Sequence, residues 1–212
     1  MQKSVPAPRR SQGERTDATR TALVSAARAL FEVRGFAATG TPEIVAAANV
    51  TRGALYHHFT DKTELFHAVA RQVAQEVADE IARRSRPHPQ PVDALLAGAQ
   101  AYFAAMAEAG RARLLLLEAP AVLPAEQVLG LSDLAGFQAL QEGLQAALQG
   151  HPEALPLREL SVLLSAAFDR AALAIARGEP AAPYEQAVGL LLSRLVTQPH
   201  DAALAGVVEA RR

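Results

Sequence analysis

The 212-residue chain has no cysteine and no tryptophan. Without thiols there is no disulfide, no thiolate metal site and no cysteine nucleophile. Aromatic residues are only 5% of a chain that is half hydrophobic, so the core must be built mainly from Ala, Leu and Val. Ala and Leu are strong helix formers. No β-branched run alternates with period two, as a half-buried strand would. No apolar stretch reaches the roughly 20 residues that span a bilayer. The N-terminal MQKSVPAPRRSQGERTD lacks the apolar core of a secretion signal. These absences predict an all-α cytoplasmic protein, long enough for one or two domains.

Catalytic signatures are also lacking. There is no GxSxG, phosphate loop or GxGxxG. His58 and His67 lie nine residues apart, which is not a same-face metal spacing. His88, His151 and His200 sit beside prolines. No catalytic residue, metal or cofactor is expected.

The most informative stretch runs from Thr39 to Lys62, TGTPEIVAAANVTRGALYHHFTDK. It reads as a helix-turn-helix followed by the start of a third helix. Thr41 is a good N-cap with Pro42 at the first helical position. Asn49 sits where the chain must turn, and Asn tolerates a left-handed backbone. Thr51 caps a second helix, Arg52 to His58, and Asp61 caps the next, which starts at Lys62. The second helix of such a unit can lie in a DNA major groove. Arg52 sits at its N-terminal end, where recognition helices touch base edges. Gly53 has no side chain and lets the backbone approach closely. Thr51, Tyr56 and His57 offer phosphate donors, and Lys62 adds a cation at a helix N-terminus. Leu55 and Phe59 point inward.

TPEIVAAANVTRGALYHHFTDKTELFHAV (residues 41–69), preceded by ALVSAARALFEVRGFAATGT (22–41), resembles the signature of the TetR (tetracycline-repressor) family of bacterial transcriptional regulators. The resemblance covers about residues 16 to 80. The chain departs from the family pattern at Asn49, where Gly is usual, and at Gly40-Thr41-Pro42. The resemblance implies that Thr41, Thr51, Arg52, Gly53, Tyr56, His57 and Lys62 meet double-stranded DNA at a pseudo-palindromic operator. Arg52 would read a base edge, and a Thr at position 39 or 41 would touch a phosphate.

Charge is distributed accordingly. Residues 1–86 carry 13 Lys+Arg and 9 Asp+Glu, net +4, and residues 87–212 carry 8 and 13, net −5. This is the asymmetry of a DNA-binding head on an acidic body.

The remaining chain divides as follows. Residues 1–15 read as a disordered tail, whose Arg9, Arg10 and Arg15 could trail along DNA or simply be solvated. A first helix runs from Thr16 or Asp17 to Arg34, is stopped by Gly35, and Phe36 tucks back against Phe31 and Phe59. Residues 16–61 form the head, and 62–86 a long linking helix broken by SRPHPQP. Residues 87–200 form a helical body and 201–212 a tail, for about nine helices in all. In the body, helices are expected at Val92 to Ala109, Arg111 to Ala119 (ended by Pro120), Ala125 to Leu148 with a cap at Ser132 or Asp133, Leu157 to Arg177, and Tyr184 to Thr197. The last two have broad apolar faces.

By resemblance, helices 157–177 and 184–197 would pair with a second copy as a four-helix bundle, and a small molecule would bind among the middle helices. Tyr102, Phe103, Met106, Leu115, Phe137 and Phe168 are candidate lining residues, although apolar residues at helical spacing also simply make cores. Glu118, Asp169 and Arg170 are charges within apolar stretches and need partners. Glu118 is a candidate ligand contact, and Asp169 and Arg170 suit either a ligand or a dimer interface. The favoured reading is a dimeric repressor released by a small-molecule effector. A regulator answering to a protein partner, or an activator, is the alternative. An all-helical enzyme or adaptor is the remote one.

Overall fold

The structure, a computed structural model, describes residues 12–150 and 155–197. The expected N-terminal tail through residue 11, His151, and the tail after His200 lie outside the described residues. All regular elements among the described residues are helices. We number them α1 (Gln12–Arg34), α2 (Thr41–Ala47), α3 (Arg52–His58), α4 (Lys62–Ser85), α5 (Pro91–Ala107), α6 (111–122), α7 (Ala125–Ser132), α8 (Gln138–Ala147), α9 (Leu157–Ala176) and α10 (Ala181–Thr197).

Several boundaries differ from those expected. The chain is helical from Gln12, four residues before Thr16. Gly40, not Thr41, is the N-cap of α2, so Thr41 and Pro42 are its first two residues. The Glu43 carboxylate accepts the Gly40 N–H at 2.9 Å, which is half of a capping box. Pro120 does not end α6. Leu114–Glu118 form a π-helical turn, with the Ala119 N–H bonded five residues back to Leu114 C=O. A widened turn accommodates a proline ring that an α-turn would push into a carbonyl, and the helix continues to Val122. Between α7 and α8 the break falls at Gly136 (φ 152°) rather than at Ser132 or Asp133. Helix α10 begins at Ala181, with Pro183 in its first turn, where a missing N–H is harmless.

The chain forms two compact units. Among the described residues, one comprises those up to 76 with 108–135, the other 77–107 with those from 136 on. The SRPHPQP break therefore separates two helices of the same unit, since α4 beyond Val77 and α5 both belong to the second. Gly98 on α5 lets Ser85 and Ile81 of α4 pack closely, with a Cβ at position 98 only 3.0 Å from Ser85 Oγ.

In the first unit α1, α2, α3 and the start of α4 bury Leu23, Ala27, Phe31, Ile44, Leu55, Phe59, Leu65 and Phe66. Phe36 packs on Phe31 and Phe66 (ring centroids 5.9 and 5.2 Å) rather than on Phe59. Phe59 instead lies under Arg20. Helix α6 docks on the same unit. Its Arg111 Nη2 donates to Glu76 Oε2 of α4 at 3.0 Å, and Glu76 also accepts from Arg28 of α1. In the second unit α5 is the central helix, contacting α8, α9 and α10.

Gly35 ends α1 at φ +81°. A Cβ there would lie 1.9 Å from Arg113 Nη2 and 2.4 Å from Glu118 Oε1. Gly35 is thus required for its backbone and for its emptiness. Gly178, at φ +100°, has nothing within 4 Å of its Cβ position. An L residue in this region costs roughly 1–2 kcal/mol. We expect Gly178→Ala to lose about that much, and Gly35→Ala to lose clearly more, by chemical denaturation.

Candidate nucleic-acid interface

The turn between α2 and α3 depends on Asn49, the one described non-glycine residue with positive φ (52°). Its N–H bonds to Ala46 C=O, and the Val50 N–H to Val45 C=O. Thr51 then caps α3, its Oγ1 accepting the Ala54 N–H at 3.1 Å. Asp61 Oδ1 accepts the Glu64 N–H at 2.8 Å and caps α4. Leu55 and Phe59 are buried, which turns the opposite face of α3 outward.

That outward face carries Arg52, Gly53, Tyr56 and His57, all exposed. The Arg52 guanidinium lies 5.5 Å from the centroid of the Tyr56 ring, a cation–π contact that orients it. A hydrogen bond with the Thr41 hydroxyl, and secondarily Arg52, pulls the Tyr56 phenol below its usual range. Thr41 from the start of α2 therefore joins Arg52 and Tyr56 in one surface cluster. The His57 ring packs on His58 at 5.3 Å. The Cβ position of Gly53 meets nothing nearer than Thr51 Oγ1, at 3.9 Å. No internal packing explains a glycine there.

Lys62 is placed differently from the other six. Its Nζ donates to Phe36 C=O at 2.8 Å and Thr39 C=O at 3.0 Å, and sits 4.0 Å from the Phe36 ring centroid. It braces the α1–α2 turn. Thr39, buried, closes the same turn by donating from Oγ1 to Gly35 C=O at 2.8 Å.

Of the residues expected to line a ligand site, Tyr102, Phe103, Met106 and Phe168 are buried in the second unit. The three rings pack at 5.6 to 6.2 Å. The Tyr102 hydroxyl donates to Asp169 Oδ1 at 2.5 Å. Burial, and then the charge of Asp169, hold the Tyr102 phenol well above its usual range. Burial also raises the Asp169 carboxyl, against the Tyr102 hydrogen bond. Asp169 forms no ion pair among the described residues. Arg170, its neighbour, is exposed. Phe137 is half-buried beside Gly136, whose Cβ position is 3.7 Å from the Tyr102 ring. Glu118 is not part of this cluster. It belongs to the first unit, where its carboxylate holds Phe36 N–H and Arg113. The roles of Arg113 and Glu118 left no periodic signal in the sequence. Only the two opposite charges flanking LLLL hinted at them.

No helix among the described residues is long and apolar enough to cross a membrane. Residues 23–69 match the family described as bacterial regulatory proteins, tetR family, and residues 92–198 match the tetracyclin repressor-like C-terminal domain. The chain is 38% identical over 84 residues to the HTH-type transcriptional repressor BepR of Brucella suis, covering 38% of this chain and 40% of that one. It is 40% identical over 72 residues to the regulator TtgR of Pseudomonas putida, covering 34% of each. These matches span less than half the length of either relative. Among solved structures, a TetR-family regulator from Pectobacterium atrosepticum superposes with a TM-score of 0.69 at 27% identity, over 90% of this chain and all of that one. RolR, solved with resorcinol, shares the fold at 18% identity (TM-score 0.66, covering 95% of this chain and 97% of that one).

The surface cluster yields two expectations. Gly53→Ala should stabilise the protein by up to ~0.5–1 kcal/mol in thermal melts yet weaken DNA binding in a fluorescence titration; unchanged affinity would remove Gly53 from the interface. Arg52→Ala should relax base preference, by roughly 1–3 kcal/mol at one base pair, while Tyr56→Phe, which keeps the ring under Arg52, should weaken all sequences alike.

Proposed function

The chain belongs to the TetR family of bacterial transcriptional regulators, and from that premise we propose that it is a homodimeric, cytoplasmic repressor displaced from its operator by a small molecule. The observation that carries the DNA-binding part is the Thr41–Tyr56–Arg52 cluster beside an unhindered Gly53. Two heads would enter successive major grooves of a pseudo-palindromic operator, about one helical turn apart or a multiple of it. Arg52 would read a base edge, most simply guanine O6 and N7. Thr51, Tyr56 and His57 would hold phosphates. Lys62 would serve chiefly by shaping the α1–α2 turn, with its remaining proton available to a phosphate.

The dimer reading rests on apolar side chains that α9 and α10 leave in solvent. Leu163 is 68% exposed, Leu190 and Leu191 56%, and Val162 45%. Such a face is self-complementary when two α9–α10 pairs meet as four helices.

The effector reading rests on the buried Tyr102, Phe103, Met106 and Phe168, and on Asp169, which accepts the Tyr102 hydroxyl. A carboxyl on a tyrosine of an aromatic cluster, with no ion pair among the described residues, favours a ligand with a cationic or hydrogen-bond-donating group on an aromatic or apolar frame. The effector must bind the released conformation better than the DNA-bound one, since equal affinity shifts nothing.

The decisive measurement is binding of the purified protein to DNA from immediately upstream of its own gene across a salt series. The expected result is tight, salt-sensitive binding with a footprint of two symmetric half-sites, against weaker binding to random DNA. No preference at any salt concentration would refute the assignment of that site.

A further inference from the structure

The helix-turn-helix is gripped by a residue far outside it. The Phe36 N–H donates to Glu118 Oε2 at 2.9 Å, across 82 positions of sequence. The other oxygen, Oε1, accepts from Arg113 Nε and Nη2, each at 2.8 Å. With one oxygen on Arg113 and the other on Phe36 N–H, both carboxylate oxygens are held. The ion pair occupies the space that any side chain at Gly35 would fill. On its carbonyl side Phe36 is held by Lys62, whose Nζ donates to Phe36 C=O. Both polar ends of the Phe36 backbone are thus tied to charged side chains, one from α4 and one from α6.

We propose that Glu118 is a positioning residue for DNA binding: it fixes the α1–α2 turn, and through it the start of α2. The path is continuous. Glu118 holds Phe36; Phe36 and Thr39 are bound by one ammonium, Lys62. Gly40 caps α2 one residue later, and Thr41 opens the helix and meets Tyr56 on the recognition helix. A turn released at Phe36 would let Thr41 and α2 drift relative to Arg52, so the interface would lose its geometry without losing its charge. Helix α6 is seated firmly enough to act as the anchor. Gly110 lets its start approach α1, where a Cβ would lie 2.7 Å from Glu32 Cγ, and Arg111 is paired with Glu76. The π-turn ends at Glu118, and such turns recur at functional positions.

This proposal rests on the DNA-binding reading and deepens it. The test compares wild type, Glu118→Ala and Glu118→Gln for affinity to the upstream fragment and to random DNA, for thermal midpoint, and for hydrogen exchange of the Phe36 amide. Glu118→Ala should lose at least tenfold in affinity for the upstream fragment, with much less change for random DNA. Its Phe36 amide should exchange faster. Glu118→Gln keeps an acceptor for that amide and should recover part of the loss. Should Glu118→Ala not fold, Glu118→Gln and Arg113→Gln carry the comparison. A folded Glu118→Ala with wild-type operator affinity overturns the proposal. So does an equal loss for both DNAs at unaltered Phe36 exchange. If wild type itself shows no preference for the fragment, the DNA-binding reading fails first and this proposal falls with it. If wild type discriminates and the variants do so equally well, this proposal alone fails.

Discussion

The head depends on the control of one short turn. Between Gly35 and Gly40 the chain leaves α1 through a left-handed glycine and must deliver α2 at a defined angle. Three polar groups do this: Lys62 on two carbonyls, Thr39 on a third, and Glu118 on an amide. Each bond alone contributes on the order of 1 kcal/mol, somewhat more where a charge takes part. Their importance is geometric. Seven-residue helices such as α2 and α3 are too short to be stable alone, so their placement comes from what holds their ends.

Stability and recognition occupy separate faces of those helices. Ile44, Leu55 and Phe59 account for why α2 and α3 pack at all. Arg52, Gly53 and Tyr56 bury nothing, and their contacts with one another and with Thr41 lie at the surface. An exposed arginine resting on an exposed tyrosine ring, next to a glycine in open space, stabilises the fold little. Exposed cation–π pairs contribute about 0.5–1 kcal/mol, and glycine in a helix detracts by a similar amount. The surface is therefore better explained by what it meets than by what it supports.

Much of the head was legible because it obeys local rules. Asn49 at positive φ, Thr51 and Asp61 as caps, and the inward Leu55 and Phe59 follow from short-range chemistry that a sequence displays directly. The misreadings share a cause. Pro120 read as a stop because the π-turn that tolerates it has no sequence marker. Thr41 read as the cap because Gly40 has no side chain to advertise a role that the Glu43 carboxylate fulfils for it. The sequence offered Lys62 as a phosphate contact and Glu118 as a ligand contact, and did not display the backbone bonds that each makes. Those backbone groups lie 23 to 82 residues away, and no periodicity encodes a contact of that kind.

In the body, the sequence marked Tyr102, Phe103, Met106 and Phe168 as apolar and left Asp169 and Arg170 as an undivided pair of charges. The structure divides them. Asp169 takes the Tyr102 hydroxyl and Arg170 faces outward. One helical step of about 100° separates adjacent residues, enough to send two neighbouring charges to different environments. Asp169 meets Tyr102 of the aromatic cluster, and burial raises its carboxyl. A folded-state value above the unfolded one means that its contribution to stability is fully present below the unfolded pKa and is lost as pH rises through the folded value. Ionising Asp169 therefore costs the folded protein something that it does not cost the unfolded chain. A donor or cation bound beside this carboxyl would offset that cost, since a buried charge needs a partner.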